Sequence, residues 1–387
     1  MKKLKNIGIV GKLARWIYSF LTDRNQTVSV RGSKSQTCKV TSGVPQGSVL
    51  GPVLFLIMIS DIDECVKSST CRVFADDTKM SKEISSKADG DDLQSDLNSV
   101  YAWGEKNEMK FNNTKFQSIR YGNNDLLTQL LYTAPDGSEI PPEEHVKDLG
   151  VIMSRDLTFT EHIQTRVTKC RSLMGWIFRT FITRDAAPMM IIYKALVLPR
   201  IDYCSQLYFS SSQLEMALES IQRHFTSRLS EVKDQDYWNR LSSLALYSIQ
   251  RRNERYMIIY VWKILEGLAP NLSNNTIKPI YSDRRGRQCS IPHLPRSNCP
   301  QRVKTLRDQS FGIKGPQLFN VIPKVIRNLS DVTIDQFKRQ LDKFLRSVPD
   351  EPSVPGYVAR RAGPSNSLRD LVPYQSRTMY GSCTQRP

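Results

Sequence analysis

The dipeptide Asp76-Asp77 closes an apolar run, Val73-Phe74-Ala75. Adjacent carboxylates repel one another unless a cation sits between them, so the pair is costly alone and useful as a divalent-metal ligand. In phosphoryl transfer, two Mg²⁺ ions about 4 Å apart activate the attacking oxygen and steady the leaving one. Taken by itself the dipeptide reads as an exposed acidic turn. Upstream lies Ser42-Gly43-Val44-Pro45-Gln46-Gly47-Ser48-Val49-Leu50-Gly51-Pro52, where three glycines and two prolines in eleven residues demand backbone geometry that other residues resist. Glycines also let a backbone approach a ligand closely. Standing alone, this loop is equally a strand-to-helix turn.

Other reactive sets fail on spacing. Cys289, His293, Cys299 and Cys383 lack the intervals of a zinc knuckle. His162 and His224 lie on helical stripes or their edges and read as packing or surface residues. No nucleophile, base and orienter set for hydrolysis is recognisable.

Two carboxylates at the tip of an apolar strand require a hairpin to present them. Before it, Leu4, Ile7, Ile9, Leu13, Ile17 and Phe20 recur at helical spacing, predicting a basic helix, and a strand pair follows that turns at Arg31-Gly32-Ser33-Lys34. After it, Leu93, Leu97, Val100 and Tyr101 predict an amphipathic helix ending near Asn107, with a strand at Phe116 to Tyr121 behind it. From Glu161 the pattern is helical. Ile163, Val167, Cys170, Met174, Ile177 and Phe181 make one stripe, and Leu214, Leu218, Ile221, Phe225 and Leu229 another. A domain boundary is expected between Gly150 and Phe159. Beyond Pro270, seven cations (Arg284, Arg285, Arg287, Arg296, Arg302, Lys304, Arg307) among prolines and glycine read as an exposed basic loop. Thr333-x-x-Gln336 is a capping-box pattern, opening a helix with Phe337, Leu341, Phe344 and Leu345 on one face. Past Pro349 the chain is Pro/Ser/Gly/Arg-rich without period, so disorder is expected.

Composition agrees with a foldable protein of roughly two or three domains. The balance of 55 Lys+Arg against 38 Asp+Glu leaves +17, which makes polyanions the natural partners, nucleic acid first and anionic membrane second. Eight scattered cysteines without a C-x-x-C pair argue for reduced thiols inside a cell and against a disulfide scaffold. No apolar run approaches the ~20 residues needed to cross a bilayer.

The loop and the acidic hairpin, in this order and spacing, closely resemble motifs B and C of reverse transcriptases from LINE-type, non-LTR retrotransposons, in particular the jockey-like group. Lys3-Leu4-Lys5-Asn6-Ile7-Gly8-Ile9 looks like the helix after motif A of those enzymes. Leu97 to Lys115, with Trp103 and Phe111-Asn112-x-x-Lys115, looks like motif D, and Val146-Lys147-Asp148-Leu149-Gly150-Val151 like motif E, the primer grip. The helical stretch after it is similar to the thumb, and Val303 to Leu345 resembles the C-terminal segment.

The resemblance implies an α/β (α+β) fold: a partial right-hand polymerase palm of antiparallel sheet and helices over 1–155, a helical thumb over 156–270, a basic extension over 271–348 and a disordered tail over 349–387. It implies that Asp76 ligates catalytic metal and Asp77 supports it, with Mg²⁺ or Mn²⁺ as the ion. Gly43, Pro45, Gln46 and Gly47 would wall the incoming nucleotide and template base, and Lys115 would protonate the leaving pyrophosphate. Leu149, Gly150 and Val151 would touch the primer. Arg166, Lys169, Arg171, Arg284, Arg285 and Arg287 would follow nucleic-acid backbone. The expected partners are RNA template, DNA primer and deoxynucleoside triphosphate, without a membrane, in the nucleus or cytoplasm.

The departure is at the front. Those polymerases carry a first catalytic Asp in a Phe-x-Asp-like strand upstream of the segment with which this sequence opens, and Asp23, in a polar turn, does not substitute for it. The sequence therefore reads as an N-terminally truncated polymerase with an incomplete two-metal site, inactive alone. The rival reading is a non-enzymatic, sequence-tolerant nucleic-acid-binding remnant or domesticated protein.

Overall fold

The computed structural model of the chain describes residues 1–122, 125–207, 212–271, 277–283, 285–291, 301–352 and 366–372. They fall into two units, Met1–Glu144 and His145–Pro387. The division precedes the Gly150–Phe159 interval expected from sequence, because Val151 is buried in the same apolar cluster as Ile163 and Val167.

In the first unit the basic apolar stripe forms two helices rather than one. Helix α1 (Lys2–Asn6) is terminated where the Ile9 amide returns to the Leu4 carbonyl at 2.9 Å, and α2 (Gly11–Leu21) begins afresh. Strands β1 (Arg24–Gln26) and β4 (Cys38–Val40) pair around the small ladder of β2 (Ser29–Val30) and β3 (Ser33–Lys34), which turns at Arg31-Gly32 as expected. Helix α3 (Leu50–Ile59) leads to the hairpin of β5 (Thr70–Phe74) and β6 (Asp77–Ser81). A capping box of Ser86 and Asp89 starts α4 (Lys87–Lys106), which ends at Asn107. Then come α5 (Asp125–Gln129) and the pair β7 (Tyr132–Thr133) and β8 (Glu139–Ile140).

The strand expected over Phe116–Tyr121 is not formed. Ser118 makes one isolated bridge to Pro142, and the opposing Pro141 and Pro142 have no N–H with which to extend a ladder.

Helix α3 serves two cores. Leu54 packs with Leu4 and Ile17, and Ile59 packs with Ile62, Val100 and Trp103.

The second unit opens with a hairpin of β9 (His145–Asp148) and β10 (Val151–Ser154). Helices α6 (Thr160–Thr180), α7 (Ala186–Ile192), a π-helical turn (Tyr193–Val197), α8 (Leu198–Asp202), α9 (Ser212–Thr226), α10 (Tyr237–Ser243) and α11 (Ile249–Leu265) follow. The two sequence stripes are its core: Ile163, Cys170, Ile177, Ile221, Phe225 and Leu229 are fully buried.

The described parts of the segment expected as a basic loop, 285–291 and 301–307, lie largely in regular structure instead. The region contains the hairpin of β11 (Pro279–Ser282) and β12 (Gly286–Cys289), followed by α12 (Gln301–Gln309), which carries Lys304 and Arg307. Helices α13 (Phe311–Val321), α14 (Lys324–Arg327) and α15 (Ile334–Ser347) complete a second core on Trp262, Phe319, Phe337 and Leu341. The Thr333–Gln336 capping box forms as read.

Order continues past Pro349, against expectation, at 366–372. Leu368 is fully buried there, and its amide donates to Glu254 at 3.0 Å.

The chain is thus a mixture of helices and small antiparallel ladders, each two-stranded among the described residues. Among those residues no helix is long and apolar enough to cross a membrane.

Candidate functional site

The β5–β6 hairpin presents the acids as the sequence suggests. Phe74 and Asp77 are the last paired residues, and Ala75, at φ 51°, turns the chain so that Asp76 stands at the tip. Both carboxylates are exposed. Among the described residues neither holds a side-chain hydrogen bond or ion pair, so both are free to meet an external cation.

Two acids without an assigned role in the sequence, Asp96 buried and Asp61 half-buried, brace what leads to this hairpin. Asp96 of α4, 3% exposed, accepts from the amides of Lys67, Ser68 and Ser69 at 2.9, 2.9 and 2.7 Å, fixing the chain just before β5. Burial raises the Asp96 carboxyl, and the amides outweigh it, leaving the group below its usual value. Asp61 accepts from Lys3 Nζ at 2.6 Å and Trp103 Nε1 at 2.9 Å, tying α1 and α4 to the end of α3. Here too burial raises the carboxyl and the two hydrogen bonds bring it below its usual value. Met80 of β6 packs on the cluster of Ile59 and Trp103, so α3 supports the hairpin as well as the glycine-rich loop.

That loop is a tight turn. Ser48 Oγ donates to the Pro45 carbonyl at 2.6 Å and accepts from the Gly51 amide at 3.1 Å. Gly47 holds φ 79° at the third turn position, a conformation that side-chain-bearing residues resist. Gly43, Gln46 and Gly47 are exposed and Pro45 is half-buried, with Arg24 clasping the Ser42 and Gly43 carbonyls. Lys115 is exposed at the end of a single 3-10 turn, Asn113–Lys115.

In the second unit, Leu149 (φ 45°) and Gly150 (φ 84°) form the two-residue β9–β10 turn, both left-handed as a type I′ hairpin requires. Val151 is buried beneath it. The Tyr203 hydroxyl donates to the Leu149 carbonyl at 2.6 Å, and its ring lies 3.6 Å from where a Cβ on Gly150 would sit.

Beside this turn is a cleft of about 490 Å³ into which Lys147, Arg166, Lys169 and Arg200 bring four cations, and among the described residues no carboxylate lines it. Arg166 stacks its guanidinium 5.3 Å from the Tyr203 ring centre and bonds the Arg200 carbonyl. Ala195 and Leu196, of the π-helical turn, form the far wall; such widened turns recur at functional sites. His162 is buried, and its Nδ1 accepts the Ile152 amide at 3.1 Å, locking the hairpin to α6. Burial first, then Arg166 and Lys169, pull its imidazole down to about 4, so it is neutral at pH 7. Of the two expected places for His162, packing or surface, the structure gives packing, and its service to the turn has no local sequence signal. Nor has Tyr203 or Arg200, whereas Lys147 lies within the motif E-like segment.

The other expected cations separate. Arg171 is exposed on a different face of α6, 3.4 Å from Ser220 Oγ. Arg285 is exposed. Arg287 does not belong to an exposed patch: it is 3% exposed, paired with Glu266 at 2.5 Å, because β12 points it into the core. Arg284, Arg296, His293, Cys299 and Cys383 lie outside the described residues. Arg184 is occupied closing the end of α6, bonding the carbonyls of Phe178, Phe181 and Thr183.

Comparison with known proteins follows the same residues. Residues 1–153 match the family of reverse transcriptases (RNA-dependent DNA polymerases), a stretch that ends inside β10. The RNA-directed DNA polymerase from mobile element jockey of Drosophila melanogaster is 30% identical over 211 residues, 50% of this chain and 22% of that protein. Its Drosophila funebris counterpart is 28% identical over 51% of the chain, and the probable polymerase from transposon X-element of Drosophila melanogaster is 27% identical over 49%. The match spans about a fifth of the length of these relatives, 22% in each case. Residues 1–153 thus match the reverse transcriptase family, and the chain is similar to its jockey-like, non-LTR retrotransposon members.

Proposed function

We propose that the chain contributes palm and thumb elements to RNA-templated DNA synthesis. The observation that carries this reading is the β5–β6 hairpin, which holds two exposed carboxylates with no internal partner within a segment that matches the reverse transcriptase family. Palm residues run over 1–155, thumb residues over 156–270, and the extension over 271–348.

Asp76 and Asp77 are hard oxygen donors, which suit Mg²⁺ or Mn²⁺. When bound, the ion acts as a Lewis acid on the reacting phosphate oxygens. Asp76, at the tip, is the ligand, and Asp77, anchored by its pairing with Phe74, supports it. Among the described residues no third acid, His or Cys joins them. Polymerisation therefore needs a further carboxylate, and this chain alone is inactive. The Gly43–Gly47 turn offers backbone to nucleotide and template, and Lys115 gives its proton to the departing pyrophosphate. The Leu149–Gly150 turn and the cleft cations Arg166 and Lys169 hold the primer backbone, with Arg171 and Arg285 as outlying phosphate contacts.

Nucleic-acid binding without synthesis is the second reading, favoured by the four-cation cleft, which needs no metal. The test is incorporation of labelled deoxynucleotide on a primed RNA with Mg²⁺. The chain alone should match its Asp76→Ala variant. Fused behind a family-consensus segment carrying the motif A Asp, it should gain activity that falls far more with Asp76→Ala than with Lys115→Ala. Equal losses would overturn the role assignment, and a fusion that binds the primed RNA without extending it would favour the second reading.

A further inference from the structure

Helix α6 has two basic faces. Gly175 follows Arg166 by nine residues, about two and a half turns at 3.6 residues per turn, so the two lie on opposite sides. Arg166 serves the cleft beside the Leu149–Gly150 turn. The opposite face, with Arg171, Gly175 and Phe178, meets Ser220, His224 and Arg228 around a second cleft of about 570 Å³.

We propose that this α6–α9 cleft is a second nucleic-acid track, taking the phosphates of a strand segment different from the one at the hairpin turn. The inference rests on the chain being a nucleic-acid binder and adds a site to it. Arginines stand on both walls, Arg171 on α6 and Arg228 after α9, both exposed. Guanidinium forks match phosphate oxygens bidentately. Between them the floor is open: a Cβ on Gly175 would meet only Arg179 Nη1, at 3.8 Å. The side wall is rigid, since Phe178 packs 5.2 Å from Phe225 and edge-on to His224 at 6.4 Å. Among the described residues no carboxylate lines the cleft. His224, from α9, feels the same field. Partial burial, then Arg228 and Arg171, hold its imidazole below the usual value, and a phosphate between the arginines would reverse the last two. A strand in the first cleft reaches the second only by passing round α6, which is ~10–12 Å wide with its side chains. The helix therefore separates two segments.

The test uses the full chain with fluorescein-labelled 20-nucleotide single strands, in RNA and DNA forms, followed by anisotropy across a salt titration. Wild type should bind two strands per chain. Arg171→Gln with Arg228→Gln should leave one, flattening the salt slope by about 1.4, or 0.7 per lost phosphate contact. Arg166→Gln with Lys169→Gln should also leave one, and the two losses should add. Gly175→Glu, which puts a carboxylate on the open floor and leaves every arginine in place, should reproduce the first pair. By NMR, the strand should raise the His224 titration in wild type and not in Gly175→Glu. Unchanged stoichiometry and slope in the Arg171/Arg228 variant would overturn the second track. So would displacement from it by polyglutamate with no effect of the oligonucleotides. If neither double variant changed binding, the nucleic-acid reading of both clefts would fail, which distinguishes that outcome from loss of the second track alone.

Discussion

The Tyr203 hydroxyl and the Leu149 carbonyl, 54 residues apart in sequence, meet at 2.6 Å and hold the left-handed β9–β10 turn against the helical unit. The same ring carries the Arg166 guanidinium at 5.3 Å, so one side chain aligns both the turn and the nearest cleft cation. Tyr203→Phe keeps the ring and removes only the hydroxyl. Because the residue is 48% exposed, unfolding stability by urea should fall by about 1 kcal/mol or less. Nucleic-acid affinity should fall with it, through faster release. A loss above ~3 kcal/mol would mean that the hydroxyl supports more than the turn.

His162 makes the second unit sensitive to acid. Its imidazole is pulled from 6.5 to about 4 in the folded protein, so between those values the unfolded chain binds the proton and the folded chain does not. The stabilisation is complete above pH 6.5 and drains away as pH falls toward 4. At about 1.4 kcal/mol per pH unit the loss amounts to roughly 3 kcal/mol. Urea midpoints from pH 7.5 to 4 should show this decline, and His162→Gln should be less stable at pH 7 with a flatter profile. A variant that kept the wild-type profile would move the acid sensitivity to another group.

Asp96→Ala should loosen the β5–β6 hairpin without touching it. Three amides, of Lys67, Ser68 and Ser69, lose their acceptor, at a cost of about 3 kcal/mol. Hydrogen exchange should quicken across β5 and β6 while α11 keeps its protection. Asp96→Asn, retaining one acceptor oxygen, should recover part of the loss. Uniform acceleration over both units would refute a local bracing role.

Arg285 and Arg287 are two residues apart and should behave oppositely. Arg287→Glu leaves Glu266 facing a second buried carboxylate, so the core of the second unit should lose about 3–5 kcal/mol. Arg285→Glu, on the surface, should leave stability within about 0.5 kcal/mol and weaken nucleic-acid binding at low salt. Thermal unfolding beside anisotropy separates the two. A stable, weakly binding Arg287→Glu protein would return that residue to the surface.

What the sequence revealed was whatever repeats locally. The stripes through Ile163 and Phe225, the turn at Asp76 and the Thr333 cap all depend on residues within a few positions of one another. What stayed hidden depends on distant partners. Arg287 and Arg285 look alike in sequence until Glu266 is placed against one of them, and Arg184 looks like a surface cation until the end of α6 bends back to it. Periodicity likewise made a strand of Phe116–Tyr121, whose chosen neighbours turned out to be prolines. The acidic hairpin was legible as a candidate site because its meaning lies in two adjacent residues. The cleft was not, because Lys147, Arg166, Arg200 and Tyr203 come together only when β9, α6 and α8 pack.

The docking of residues 366–368 on α11 bears on how the second unit is made. Arg251 donates to the Asn366 carbonyl across 115 residues, and Glu254 accepts from Ser367 and Leu368 across 113 and 114. On the ribosome, α11 emerges long before those partners do. Its buried arginine and glutamate remain in water, or bound to one another, until the segment around Leu368 has been synthesised. Closure of this core is therefore late in translation, and a chain interrupted before Asn366 would expose a charged seam along α11 that invites degradation.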